Sequence, residues 1–219
     1  MSYKPFWKKA GIPETSKLFE VCKDDLVGDK KYMQMVEKIF SWDFKNPASL
    51  TILSKANGCG KSHIAVCLLK KYIHEKFNQY KSDIEEEDEN LKKELEHKAK
   101  VEFEKSFSSI VFKKESLLYY EILATFKKDS KRTEEDIINE YSNLEFLVID
   151  DLFSTRENEF ARRVIFSIVD LRIDWLNKPT VITSNKILDD LDDIDSRIAS
   201  RIDNNYLFQI SENAKDWRK

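Results

Sequence analysis

Cysteine is scarce in this chain. Cys22, Cys59 and Cys67 are all it has, an odd number with no C-x-x-C pair among them. That excludes a disulfide framework and a zinc ribbon, and it fits a reducing cytoplasm. The histidines, His63, His74 and His97, are equally few and do not cluster with cysteine at metal-ligand spacing. No run of 18 apolar residues occurs, and the opening MSYKPFWKKAGIPE lacks the apolar centre of a signal peptide. No membrane association is expected, and the expected location is cytoplasmic. An excess of one charge is missing too. Basic and acidic residues number 37 and 40, a net charge of −3, which excludes a protein that grips nucleic acid by overall charge but not one with a local basic face. Glycine is the most telling shortage. Of four in 219 residues, Gly58 and Gly60 stand within three residues of each other.

What is present is an alternation. The compact apolar runs SLTILS (49–54), SSIVFKK (108–114), LEFLVID (144–150), PTVITSN (179–185) and NYLFQI (205–210) read as five strands. Between them lie stretches of helical spacing: KSHIAVCLLKKYIHEKF, ESLLYYEILATF, TEEDIINEY and EFARRVIFSIVDLRIDWL. Thr133 and the acids after it form a good helix start. Apolar strands separated by helices predict an α/β fold with a five-stranded parallel sheet covered on both faces. Ligands of such sheets sit at the carboxyl ends of the strands. Residues 1–44 read as an N-terminal helical segment leading into a core at 45–219. A charged helical insertion at about 78–107 interrupts the rhythm, with Glu89–Lys93 and Glu94–Lys98 at i,i+4 spacing. It reads either as a solvated helix or as a partner-binding projection.

The two clustered glycines follow the first strand in SKANGCGKSH, with Lys61 and Ser62 directly after them. A phosphate-binding loop needs converging backbone N–H groups without side chains in the way, and a helix N-terminus behind them. Lys61 would then reach the β- and γ-phosphates of ATP, and the Ser62 hydroxyl would ligate Mg²⁺. The strict pattern G-x-x-x-x-G-K-[ST] is broken at its first position by Lys55, which either adds positive charge near the nucleotide or weakens the site.

FLVIDD ends the third strand in Asp150 and Asp151. The first carboxylate is placed to hold the metal, and the second to orient and polarise the attacking water. TVITSN brings Asn185 to the end of the next strand, beside Asp150 in the expected sheet, where an amide can bridge the γ-phosphate and the water. DSRIASRID sets Arg197 and Arg201 on one helix face, either as solvated cations or as an arginine finger for a neighbouring subunit. Residues 113–132 carry six basic and three acidic side chains around Tyr119, Tyr120 and Phe126. Lys127, Lys128, Lys131, Arg132 and Tyr120 are candidates for single-stranded DNA contact, whereas Phe126 is expected in the core of an amphipathic helix.

AGIPE, NGCGKSHIA, FLVIDDL, PTVITSN, RIASRI and DWRK, in this order, resemble the DnaC/DnaI-type replicative helicase loaders. The resemblance implies an AAA+ P-loop ATPase core without a large C-terminal lid. It also implies a replicative DNA helicase and single-stranded DNA as partners, and ATP-dependent self-assembly. It makes Lys61 and Ser62 the Walker A pair, Asp150 and Asp151 the Walker B pair, Asn185 sensor I and Arg201 the finger. Asn57, Gly58, Cys59, Gly60, His63, Arg197 and Arg218 join the nucleotide site. Fewer than ten residues precede AGIPE, where loaders commonly carry a helicase-binding domain; either that domain is lost or another element docks the partner, the 81–105 insertion being the candidate. Two other readings stay open: an IstB-like helper of a transposase, and a nucleotide-binding interaction module with little hydrolysis.

Overall fold

A computed structural model describes residues 4–12, 14–47, 49–85, 107–154, 159–212, 214 and 216. Five strands form one sheet: β1 (Ser49–Leu53), β2 (Ile110–Lys114), β3 (Phe146–Asp150), β4 (Thr180–Ser184) and β5 (Tyr206–Gln209). Their order is β2-β3-β4-β1-β5, and every neighbouring pair is parallel. The α-helices are α1 (Lys4–Lys9), α2 (Lys30–Phe40), α3 (Lys61–Glu85), α4 (Glu115–Ala124), α5 (Glu134–Asn143), α6 (Glu159–Asp170) and α7 (Leu188–Asp203).

The strands are apolar on both sides because helices cover both sides. Along β1 and β3, alternate residues Leu50, Ile52, Phe146 and Val148 join a core with α3 and the N-terminal segment. Leu53, Leu147 and Ile149 join a second core with α4, α5, α6 and α7. This is the period of two that a pleated strand imposes, used here on two buried faces. β1, β3 and β4 are buried at every position. Each fully buried Leu, Ile, Val or Phe stabilises the fold by about 1.5–3 kcal/mol.

The AGIP stretch closes an edge. β2 is the outer strand, and its Phe112 N–H donates to the Ala10 carbonyl at 2.6 Å. Gly11 takes φ +85°, and a Cβ there would come 2.7 Å from the Phe112 carbonyl oxygen, so only glycine fits this approach. An edge that could otherwise template aggregation is thus covered from within the chain.

Several boundaries differ from the sequence reading. The helix expected over 159–176 ends at Asp170 and continues as a π turn, Leu171–Trp175. The cause is Arg172, which is fully buried there. It donates to the carbonyls of Tyr141, Ser142, Leu144 and Pro179 and to the Thr180 hydroxyl. The helix expected over 115–126 stops at Ala124, and Phe126 is not in the core. It is 59% exposed and packs its ring on Phe160, centroids 4.3 Å apart. α3 runs past the expected Phe77 to Glu85, into the charged insertion, whose residues 86–106 lie outside the described ones.

Candidate functional site

The sheet order places the carboxyl end of β1 next to that of β4, with β3 one strand further. The residues that leave these three ends meet around a cavity of about 580 Å³. The loop after β1 supplies Asn57, Gly58, Cys59, Gly60, Lys61, Ser62 and His63; β2 supplies Lys114, β3 Asp151 and β4 Asn185. Gly58 and Gly60 have φ of +69° and +98°, the left-handed region that side chains resist. The loop then enters α3 at Lys61, so a helix N-terminus faces the cavity.

Lys61 is only 6% exposed. Its ammonium donates to the carbonyls of Ser54 (3.0 Å) and Ala56 (2.9 Å) and approaches the Cys59 sulfur at 3.6 Å. The loop therefore stores its cation on its own carbonyls.

Asp150 is 1% exposed and accepts from the Thr183 hydroxyl at 2.7 Å. Burial pushes its carboxyl pKa up, and the hydroxyls of Thr183 on β4 and Ser62 on α3 pull against it. Asp151 adopts φ +63° and accepts from the Asn185 amide at 2.7 Å, while its N–H donates to Thr183 Oγ1 at 3.0 Å. Asn185, expected beside Asp150, is thus paired with Asp151 instead. The strand ends are tied by further bonds, Ser54 N–H to Ser184 O at 3.1 Å and the Ser184 hydroxyl to Leu152 O at 2.7 Å.

The group that sequence reasoning missed is the opposite wall, drawn from Lys17 to Tyr32. Leu18, Val21, Leu26 and Val27 line it, with Val27 52% exposed. α3 fastens this wall: His63 Nε2 meets Cys22 O at 2.9 Å, and Lys70 donates to Phe19 O and Val21 O at 2.8 and 2.7 Å. Nothing periodic marks the segment in the sequence. The available signal was Gly28 followed by the Asp29 helix cap, whose side chain accepts from Tyr32 N–H.

Ser62 and Asp150 offer hard oxygen donors, the kind that suits Mg²⁺. Among the described residues there is no cluster of three metal-ligating side chains, so a Mg²⁺ held here would take its remaining ligands from phosphate and water.

No protein-family model matches the sequence, and no curated protein matches it either. Solved structures do. The DnaC helicase loader superposes with a TM-score of 0.57 at 19% identity, covering 90% of this chain and 99% of that one. DnaI gives a TM-score of 0.57 at 15% identity, covering 91% and 94%. AMPPCP-bound DnaA from Aquifex aeolicus gives 0.57 at 16% identity over 89% of this chain and 51% of that one, so the chain spans about half of DnaA. The chain shares the fold of these three structures.

Within this core the two arginines stand apart from the cavity. Arg201 donates through Nε and Nη2 to Asp170 at 2.9 and 2.6 Å and lies 3.2 Å from Asp174. Arg197 pairs with Asp195 at 2.7 Å and stacks on Phe166, 4.3 Å from its centroid. Asp195 breaks α7 with φ −155°, and the two arginines share the helix face after that kink. Arg197 borders an open groove of about 910 Å³ between α6 and α7, not the cavity at the strand ends. Arg218 lies outside the described residues. Of the DNA candidates, Tyr120, Lys127, Lys128 and Lys131 are exposed, whereas Arg132 is committed to Glu121 and Glu140. No helix among the described residues is long and apolar enough to cross a membrane.

Proposed function

We propose that this chain is an ATP-dependent helicase loader: it hydrolyses ATP with Mg²⁺ and binds a ring-shaped replicative helicase to assist its placement on single-stranded DNA. The observation that carries the reading is the Asn185–Asp151 pair at 2.7 Å on the rim of the phosphate-loop cavity. A left-handed acid locked to a neighbouring strand's amide is costly unless its carboxylate is needed there. The likeness to DnaC over nearly the whole of both chains supports the loader reading.

In this reading the loop N–H groups of Gly58 to Ser62 receive the phosphates, and Lys61 leaves the Ser54 and Ala56 carbonyls for the β- and γ-oxygens. The apolar side chains of Leu18, Val21 and Val27 take the base. Ser62 and Asp150 would hold Mg²⁺, which would neutralise phosphate charge. Asp151 accepts a proton from the attacking water, and Asn185 orients both the carboxylate and that water. Arg201 of a neighbouring copy stabilises the charge of the transition state. Tyr120, Lys127, Lys128 and Lys131 offer a stacking and charge surface for single-stranded DNA.

The test combines the purified protein with the purified replicative helicase of the same cell, with and without ATP, on a sizing column. A complex with ATP that weakens in Lys61→Ala is expected. No complex at saturating ATP, or ATP-dependent binding to a transposase instead, would overturn the loader reading.

A further inference from the structure

Two of the four glycines owe their place to one aromatic side chain. A Cβ at Gly28 would lie 2.7 Å from Tyr32 Cγ, and a Cβ at Gly60 would lie 2.6 Å from the Tyr32 hydroxyl. Gly28 belongs to the N-terminal wall, Gly60 to the phosphate loop, and the ring of Tyr32 fills the space between them. Its backbone is fixed at the start of α2, where the N–H donates to Asp29 Oδ1 at 2.8 Å. Its hydroxyl donates to the Cys59 carbonyl at 3.3 Å, and the residue lines the cavity. Burial pushes the phenol pKa up to about 12, so the group remains an O–H donor through the neutral range.

The Cys59–Gly60 peptide is trans; the Asn46–Pro47 bond alone is cis among the described residues. In a trans peptide the C=O and the following N–H point in opposite directions. Fixing the Cys59 carbonyl therefore fixes the Gly60 N–H as well, and Gly60 at φ +98° has no side chain to restrain it otherwise. Resting on the nucleotide-binding reading above, we propose that Tyr32 is a positioning residue of the phosphate loop: it holds the Cys59–Gly60 peptide so that the Gly60 N–H is presented to phosphate. The phosphate loop then answers to the N-terminal wall, because the same ring is wedged against Gly28.

Tyr32→Phe keeps the ring and removes the bond. Losing one such bond corresponds to an affinity fall of about two- to tenfold. ATP and ADP are expected to bind that much more weakly, with adenosine, which has no phosphate, unchanged in competition. A merely structural role would not separate the three ligands. Equal weakening of adenosine and ATP, or no weakening of either, overturns the proposal. Gly28→Ala gives a second reading that leaves the loop untouched. It should weaken ATP over a similar range by displacing the ring, and it should add no further weakening to a chain that already carries Tyr32→Ala. A further loss on top of Tyr32→Ala overturns the coupling. A wild-type chain that binds no ATP would instead remove the nucleotide reading itself, an outcome visible before any variant is made.

Discussion

The Lys55 ammonium lies 3.2 Å from Asp190 Oδ1 on the first turn of α7. The other oxygen of Asp190 accepts from the Ile187 N–H at 3.0 Å, so one carboxylate caps the helix and holds the lysine. Lys55 does not line the cavity at the strand ends, and its φ is not positive, so this position of the loop makes no demand for glycine. The departure from the strict phosphate-loop pattern is a tie between β1 and α7. The pair is 44% and 33% exposed and is worth about 0.2–1 kcal/mol. Lys55→Gly, which restores the pattern, should therefore lower stability by about 1 kcal/mol, counting the added chain freedom. ATP affinity should stay within about threefold. A tenfold change measured by titration calorimetry would show that the side chain reaches the nucleotide.

Asp151→Asn tests the proposed water-positioning role cleanly because asparagine tolerates the left-handed backbone that Asp151 occupies. Turnover should fall by about 10²–10⁴, the usual contribution of a positioned general base. ATP affinity should hardly move, since Asp151 stands at the rim and the proposed reading gives the phosphates to the loop. Asn185→Ala should reproduce part of the loss. Retained turnover in Asp151→Asn would reassign the base.

The five strands and the phosphate loop were legible because burial on two faces leaves apolar runs that nothing else in the chain imitates. The acids and Asn185 were legible as residues that follow those runs. What stayed hidden depends on contacts between distant segments. The wall from Lys17 to Tyr32 has no periodicity because it is held by His63 and Lys70 from α3 rather than by its own pattern. The π turn at Leu171–Trp175 exists to deliver Arg172 to carbonyls about thirty residues earlier. Phe126 read as a core residue by helical spacing, but the helix ends at Ala124 and the ring finds Phe160 instead. Asn185 was one residue off in its partner because a left-handed Asp151 turns back toward β4.

Glu121 predicts a pH dependence. It accepts from the Tyr141 hydroxyl at 2.9 Å and from Arg132 at 3.4 Å, and it pairs with Lys113. Burial alone would raise its pKa, but the Lys113 and Tyr141 hydrogen bonds and the two cations outweigh it and hold the carboxyl below its ordinary 4.5. A depressed carboxylate adds stability above that ordinary value and loses it as pH falls through the folded value. Glu121→Gln should cost about 1 kcal/mol at pH 7, and the gap to wild type should shrink below about pH 4.5. Urea midpoints at neutral and acid pH measure both. A gap independent of pH would mean the charge is irrelevant and only the hydrogen bonds count.

Arg201 makes the last prediction quantitative through mixing. Its guanidinium is held by Asp170 and Asp174 and lies 5.2 Å from the Phe166 centroid, on a face that the chain's own strand-end cavity does not share. Acting as a finger, it would have to leave those acids for the phosphate of another copy, and its removal should lower turnover by about 10³. Arg201→Ala keeps an intact phosphate loop, and Lys61→Ala keeps an intact arginine. Each alone should be silent. Mixed in equal amounts, they should recover a measurable part of wild-type turnover, because some loops then face a copy that still carries the arginine. Turnover in Arg201→Ala alone would remove the finger. Silence in the mixture would place the arginine's effect within its own chain, through the Asp170 and Asp174 contacts rather than across an interface.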